Sequence, residues 1–402
     1  MMKDNLSNDS DVVIMGGAGH VGLPLGIALA RSGLRTVLYD TNKESLATIL
    51  SGKTPTMEPG AEPVLQEVLA DGLLGGSTDA EVISRTATVI VVIGTPIDEH
   101  LNPDPWVVRR AIEEVAHHLR DGQLLVLRST VFPGSTRLIE QLLEDCGLSI
   151  EVAFCPERIA EGKAMTEIYE LPQIVAGRTD SALKRASDIF GRLTDMIVPL
   201  SPEEAELAKL FTNTWRYIKF ATANQLYMIA NNYGLDYERI RQGLTEGYAR
   251  AEDLPGAGFT AGPCLFKDTM QLAAFNDNNF TLGHAAMTVN EGLPLYVVSR
   301  IERKMELNGK TVGILGMAFK GESDDIRSSL SYKLKRILRY RSKAVLTSDP
   351  FVTVDPELVP IEQVLAESDL IVIGAPHLEY AAVEARQPVI DIWNLRRNGV
   401  QI

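Results

Sequence analysis

Cysteine is scarce, with three residues (Cys146, Cys155 and Cys264) in a chain of 402. That excludes a disulfide framework, and no pair has the C-x-x-C spacing of a zinc site. Histidine is scarce too: six scattered residues with no H-x-x-x-H pair, so no metal is expected. No apolar run approaches the ~18 residues of a membrane-spanning helix. The first ten residues are polar, and the apolar stretch from Val12 to Met15 is too short for a signal core, so a cytoplasmic protein is expected. Positive charge is in deficit: 39 Lys and Arg against 53 Asp and Glu leave a net charge of −14, which argues against a nucleic-acid surface. It does not argue against an anionic small ligand. Backbone N–H groups and a few placed cations make local anion sites whatever the global charge.

What is present is the composition of a soluble globular protein, 45% hydrophobic and 23% charged. The length exceeds one ordinary core, so two or three domains are expected. Up to about residue 200, short apolar runs (DVVIMGG, TVLYD, TVIVVIGTP, LLVLRST, EVAFCPE) alternate with amphipathic stretches. That alternation predicts a mostly parallel sheet with helices on both faces. From Pro202 one long helix is expected, marked by Leu207, Phe211, Trp215, Ile218 and Leu226, capped by Ser201 with Glu203 and Glu204 in its first turn, and closed at Gly234. A Gly- and Pro-rich stretch at 254–263 precedes further helix to about Met305. A second α/β segment follows, with strand-like KTVGILGMAFK, KAVLTSDP, SDLIVIGAP and PVIDIWN. The expected divisions are 1–200, 201–305 and 306–402.

Gly17-Ala18-Gly19-His20-Val21-Gly22 fits G-x-G-x-x-G between a strand and a helix. The first glycine permits the tight turn, the second the approach of a pyrophosphate, the third close helix–strand packing. Asp40 closes the next strand, where a carboxylate would bond ribose hydroxyls and repel a 2′-phosphate. This is the pattern of a Rossmann domain binding NAD rather than NADP. Thr95, in Gly94-Thr95-Pro96, and Thr130 end later strands at the same sheet edge, where ligands bind; each also reads as a simple strand-terminating turn.

Cys264 lies in GFTAGPCLFKD, entered by Gly and Pro and followed by Lys267 and Asp268. A helix N-terminus or nearby cation there would favour a nucleophilic thiolate. The plain reading of any cysteine is a small buried hydrophobe, and Cys146 and Cys155 are left on it. Lys209 and Asn213, four apart on the long helix, share one face. Glu157 and Glu161 in CPERIAEG read equally as an acid/base pair or as surface. Spacing alone does not choose.

In order along the chain these segments (GAGHVG, EPG at 58–60, GTP at 94–96, STVFPGST, CPERIAEG, EAELAKLFTNTW, GFTAGPCLFKD and GMAFKGESDDIRSS) resemble the UDP-glucose/GDP-mannose dehydrogenase family over nearly its whole length. The resemblance implies an N-terminal NAD-binding Rossmann domain, a long central helix at a homodimer interface, and a smaller Rossmann-like α/β domain holding the nucleotide. It implies a four-electron oxidation of the sugar C6 alcohol to a carboxylate, with two NAD used in succession. Cys264 would form a thiohemiacetal and then a thioester. Lys209 and Asn213 would stabilise the oxyanion, Asp268 would hold Lys209 or the attacking water, and Glu161 would be the base for hydrolysis. Thr130 would order a water and touch NAD. The cofactor set is Gly17, Gly19, His20, Val21, Gly22, Asp40, Lys43, Thr95, Thr130, Lys267 and Arg327. For substrate it implies Glu157, Lys320, Phe259 and Gly258 beside Lys209 and Asn213, with Arg250 reaching across the dimer.

The sequence departs from the family's pattern at His20, usually aromatic, at Pro263, usually glycine, and at Phe266, usually proline. The spacing from Arg250 to Cys264 resembles the UDP-N-acetylhexosamine branch, whereas Lys267 resembles the UDP-glucose branch. UDP-glucose is the first expectation, with UDP-N-acetylmannosamine or UDP-N-acetylglucosamine as the alternative and GDP-mannose or TDP-glucose behind them. A single-hydride β-hydroxyacid type of dehydrogenase would share the Rossmann domain and the Lys/Asn helix but need neither Cys264 nor the second α/β segment. An NAD-binding scaffold without turnover would have no use for the reactive side chains.

Overall fold

The computed structural model describes residues 10–95, 98 and 103–402; most of the polar lead-in and Pro96 of the Gly94-Thr95-Pro96 turn lie outside the described residues. The chain forms two compact units, divided between Phe211 and Thr212.

The first unit is built on eight strands: β1 (Ser10–Met15), β2 (Thr36–Tyr39), β3 (Leu74–Ser77), β4 (Thr86–Val91), β5 (Leu124–Leu127), β6 (Glu151–Phe154), β7 (Gln173–Gly177) and β8 (Ile197–Leu200). They lie in the order β3-β2-β1-β4-β5-β6-β7-β8. The apolar runs are buried on both faces, as a doubly covered parallel sheet requires. Val12 and Ile14 join the core formed with Leu25, Ile27 and Leu65. Val13 and Met15 join the opposite core with Val108, Ile112 and Ile139. The strand order reverses between β1 and β4, and Met15 pairs with Tyr39 on one side and Val91 on the other.

Three strands escaped the sequence reading, β3, β7 and β8, and the sheet is not wholly parallel. β7 runs antiparallel to β6, and β8 parallel to β7. Only one short helix, Ala164–Glu170, lies between β6 and β7. It does not carry the chain back along the sheet, so β7 starts at the edge where β6 ends.

The central helix spans Pro202–Asn232. The Ser201 N–H and hydroxyl both donate to the Glu204 carboxylate, at 2.9 and 2.7 Å, which satisfies a donor the helix start leaves free. Gly234, at φ +70°, closes it, and the Leu235 N–H turns back onto the Ala230 carbonyl. Glu206 is buried and accepts from the N–H groups of Gly134 (2.6 Å) and Thr136 (2.7 Å) and from the Thr136 hydroxyl. It thereby caps the helix Ser135–Asp145 with a full negative charge. Burial pushes its carboxyl above the usual range, against these hydrogen bonds. Among the residues that marked the helix in the sequence, Phe211, Trp215 and Leu226 are exposed, together with Ile229 and Tyr233.

The second unit holds a four-stranded parallel sheet of β9 (Thr311–Leu315), β10 (Ala344–Ser348), β11 (Leu370–Ile373) and β12 (Val389–Ile390), in the order β10-β9-β11-β12. The helical middle and this sheet share one core, in which Tyr227, Phe259, Leu293 and Val297 meet Val312, Ile314 and Leu334. Asp349, just past β10, accepts from the N–H groups of Met317, Ala318, Phe351 and Val352 and from His377 Nε2. Burial alone would raise its carboxyl, but the His377 hydrogen bond and charge and the backbone donors hold it at about 2.

Asp349→Asn should therefore cost about 3 kcal/mol at neutral pH, because an amide NH₂ would face N–H donors. A carboxyl depressed from 3.8 to about 2 contributes stability that is complete above its unfolded value and is lost as pH falls through its folded one. In calorimetry the gap in Tm between wild type and variant should narrow on acidification from pH 4 toward pH 2. A gap independent of pH contradicts this role.

Candidate active site

At the sheet's switch point the glycine turn has two different kinds of glycine. A Cβ on Gly17 would lie 2.8 Å from Leu38 Cα, and one on Gly22 would lie 2.4 Å from the Gly16 carbonyl oxygen, so both are demanded by packing. Gly19 is exposed, and a Cβ there would meet only the Gly16 carbonyl oxygen at 3.6 Å. Among the described residues nothing else crowds position 19, which leaves room for a ligand to approach the backbone closely. The helix Gly22–Arg31 starts there with no side-chain cap at Val21 and no acid in its first turn, so no side chain neutralises the positive end of its dipole. Asp40 accepts from the N–H groups of Ala18 (3.0 Å) and Asn42 (2.9 Å) and remains partly exposed. These features fit NAD: diphosphate at Gly19 and the helix start, ribose at Asp40. His20 and Val21 are half-buried in the turn, and Lys43 is exposed at the start of the helix Lys43–Leu50. Thr95 donates its hydroxyl to the Thr130 carbonyl at 2.8 Å, which brings these two strand-end threonines together.

Gly19→Ala should leave the melting temperature nearly unchanged while weakening NAD by about tenfold, some 1.4 kcal/mol. Gly17→Ala should instead destabilise the unit. Calorimetry and NAD titration on the two variants separate ligand approach from packing, and an equal loss of Tm in both would contradict the assignment.

The loop after β6 carries Glu157 and Glu161. Glu157 pairs with the buried Arg128, whose Nε lies 3.0 Å away, and accepts from the N–H groups of Arg158 (2.7 Å) and Ile159 (2.8 Å). Arg128 also donates to the Cys155 carbonyl at 3.1 Å. Glu161 is half-buried at the crest of the loop. Around it the Ala160 N–H is held by Glu167 (2.7 Å), and those of Gly162 (3.1 Å) and Ala164 (2.8 Å) by Glu58. Cys155 is fully buried, which pushes its thiol up to about 12 and leaves it inert. Cys146 is exposed rather than buried, because it closes the helix Ser135–Asp145 just before the left-handed Gly147.

In the second unit Cys264 is exposed at the N-cap position of the helix Leu265–Phe275. The helix start supplies the positive field that favours a thiolate. One turn on, Asp268 is fully buried; it accepts from the Asn213 amide at 2.5 Å and pairs with the Lys267 ammonium at 3.0 Å. Lys209 is buried one helical turn before Asn213. The loop leading to Cys264 is fixed from several sides. Asn224 accepts from the Gly258 N–H and donates to its carbonyl, both at 3.0 Å, and also donates to Asn290. A Cβ on Gly258 would strike the Trp393 ring at 2.3 Å, and one on Gly262, at φ +103°, the Phe319 ring at 2.6 Å. Phe259 is buried edge-on to Trp393. Lys320 follows Phe319 and lies 5.5 Å over its ring. Arg327 is half-exposed and forked onto Asp325, and Arg250 is exposed beside Tyr248.

The sequence reading missed Glu58, Arg128, Glu167, Glu206, Asn224 and Trp393. Asn224 left a usable signal, a second asparagine on the helix face of Asn213, and Glu58 stood in the EPG motif without a role being given to it. Among the described residues no group of three His, Cys, Asp or Glu side chains is arranged to hold a metal ion, and no helix is long and apolar enough to cross a membrane.

Comparison with known proteins accounts for the combination. Three domain descriptions of the UDP-glucose/GDP-mannose dehydrogenase family match in sequence order: the NAD binding domain over 11–194, the central domain over 203–292 and the UDP binding domain over 313–398. A relative in Pyrococcus horikoshii, named UDP-N-acetyl-D-mannosamine dehydrogenase, is 31% identical over 91% of this chain and 90% of its own. A solved structure described as UDP-D-ManNAc dehydrogenase from Pyrococcus horikoshii is 29% identical with a TM-score of 0.88, covering 96% of both chains. That of a UDP-glucose dehydrogenase from Pyrobaculum islandicum is 26% identical with a TM-score of 0.86, covering 96% of this chain and 94% of its own. The open glycine turn, the strand-end carboxylate and the exposed helix-start cysteine thus sit in a chain that belongs to the UDP-glucose/GDP-mannose dehydrogenase family, as an NAD-dependent nucleotide-sugar dehydrogenase.

Proposed function

We propose that the protein works in the cytoplasm and oxidises the C6 hydroxyl of a UDP-N-acetylhexosamine, UDP-N-acetylmannosamine foremost, to the uronate. The observation that carries the chemistry is Cys264, exposed at a helix start on a loop immobilised by Asn224, Trp393 and Phe319. The choice of sugar rests on the relatives and on the spacing from Arg250 to Cys264. The sequence alone favoured UDP-glucose; that preference leaned on Lys267, which the structure engages with Asp268. The 31% identical relative carries the N-acetylmannosamine name instead.

NAD would be held by Gly19, the helix start and Asp40, and when bound it would supply the hydride acceptor for two successive oxidations. The first leaves the alcohol as an aldehyde, its hydroxyl proton passing to solvent. The Cys264 thiolate adds to the aldehyde carbon, and the oxygen takes a proton to give a thiohemiacetal. Loss of the second hydride and of that proton leaves a thioester. Water, deprotonated by Glu161 with Thr130 ordering it, attacks the thioester carbon; the C–S bond breaks, and the carboxylate leaves a thiolate on Cys264. Lys209 and Asn213 stabilise the oxyanions, with Asp268 orienting the Asn213 amide. Lys320, Phe259 and Gly258 shape the substrate site, and Arg327 meets the cofactor. In this scheme 1–200 binds NAD, 201–305 carries dimerisation and the nucleophile, and 306–402 holds the nucleotide.

NADH absorbance across UDP-N-acetylmannosamine, UDP-N-acetylglucosamine, UDP-glucose, GDP-mannose and TDP-glucose tests the reading. About two NADH per sugar are expected with the N-acetylhexosamine, and Cys264→Ser should yield no carboxylate. One NADH per sugar in the wild type would sink the thioester route.

The protein is proposed to act as a homodimer through the exposed stripe Trp215, Leu226 and Ile229 of the central helix, continued by Tyr233 just past its end. Arg250 of one protomer would then serve the other's substrate. Trp215→Asp should give a monomer in sedimentation. Arg250→Ala and Cys264→Ser, each inactive alone, should recover about a quarter of wild-type activity after mixed reassembly, because half the dimers hold one intact site. No recovery from mixed dimers would place Arg250 outside the partner's site.

A further inference from the structure

We infer that Glu58 is a positioning residue for the hydrolytic half of the reaction, fixing the loop that carries Glu161; the inference rests on the role proposed above for Glu161. The stretch from Glu157 to Lys163 has no regular secondary structure, so no helix or sheet ladder sets its backbone. One turn bond, from the Lys163 N–H to the Ala160 carbonyl at 3.0 Å, and three carboxylates set it instead. Glu157 takes the N–H groups of Arg158 and Ile159, Glu167 takes that of Ala160, and Glu58 takes those of Gly162 and Ala164. Glu157 and Glu167 are local, whereas Glu58 comes from 104 residues earlier. It ties the crest of the loop to a segment far away in sequence.

The place from which Glu58 reaches is informative. It precedes the helix Ala61–Ala70, whose first N–H bonds the Glu58 carbonyl at 3.1 Å. That helix contributes Ala61 and Leu65 to the core that also holds Leu23, Leu25 and Ile27 of the helix rising from the glycine turn. Ile168, from the helix just after the Glu161 loop, packs into the same core. Glu58 therefore references the Glu161 loop to the helix whose start receives the cofactor diphosphate. Because Gly162 adopts φ +75°, loss of its hydrogen bond frees a backbone that no Cβ restrains. A displacement of about 1 Å in a catalytic group costs up to about 100-fold in rate.

The test uses the full-length enzyme with UDP-N-acetylmannosamine and NAD, and two variants. Glu58→Asp keeps the charge but falls one methylene short of the two N–H groups; Glu58→Gln keeps the reach and one acceptor oxygen. Glu58→Asp should lower kcat by about tenfold with both KM values within about threefold, and intact mass after quenching should show a sugar adduct on Cys264. Glu58→Gln, whose NH₂ must face one of the two N–H groups, should also lower kcat and accumulate the same adduct. A general loss of structure would lower NAD affinity and Tm without accumulating an adduct. Wild type must release two NADH per sugar, and Glu161→Gln must trap the same adduct; if either fails, the assignment of Glu161 falls and this inference with it. If both hold while Glu58→Asp turns over normally, or slows without an adduct, the positioning role alone is overturned.

Discussion

A carboxylate that closes the second strand of an α/β unit and reaches back to the glycine turn after the first strand is the constraint on which both halves depend. Asp40 holds the Ala18 N–H and Asp349 those of Met317 and Ala318, while Gly16 and Gly316 each donate to the neighbouring strand's last carbonyls. The device answers a problem set by the fold. A turn that must expose its N–H groups to a ligand cannot satisfy them within itself, so a fixed anion must hold its shape. The two copies have diverged in what they leave over. Asp40 accepts two backbone donors and stays partly exposed, with lone pairs remaining for a ribose hydroxyl. Asp349 accepts five donors and its side chain is buried, so it has nothing left for a ligand and holds the loop that carries Lys320 together with the turn at Phe351 and His377.

The same economy explains part of the acidic excess. Glu58, Glu157, Glu167 and Glu206 all spend their charge on backbone N–H groups at loop crests and helix starts. An ionised acceptor makes stronger hydrogen bonds than a neutral one, so a single side chain can hold two donors of a segment without regular structure. A net charge of −14 is thus compatible with an anion-binding enzyme, since several of its acids act as internal struts.

How much of this was legible follows from the range of each interaction. Strands buried on both faces announced themselves as continuous apolar runs, and β1, β2, β4, β5 and β6 and all four strands of the second sheet were read. The missed β3 and β8 are the two sheet edges. β3 is Leu-Gly-Gly-Ser, and β8 contains Pro199, both weak as strand signals and both tolerated at an edge. The Gly17–Gly22 turn and Asp40 were legible because their spacing is local. Cys264 was legible only through the order of many motifs. The roles of Glu58, despite its EPG motif, and of Trp393 were not, because each acts on a partner at least 104 residues away in sequence.

The glycines around Cys264 show why the neighbours of the proposed nucleophile matter more than the cysteine itself. An exposed cysteine at a helix start is reactive anywhere, but addition to an aldehyde and two successive hydride removals from one carbon require that carbon to stay put. Gly258 and Gly262 let the main chain press against Trp393 and Phe319, closer than any side chain would allow, and Asn224 grips the Gly258 peptide from both sides. Such a loop has its ordering entropy removed on folding rather than on substrate binding. Phe319 also belongs to the turn that precedes Lys320, so the surface that fixes the cysteine is continuous with the one assigned to the nucleotide. In the proposed mechanism, a substrate held by the second unit would be referenced to the sulfur through one aromatic contact. The substitution of Pro for the family's glycine at 263 fits this arrangement, because the turn at Gly262 already carries the left-handed backbone and the next residue can be stiff.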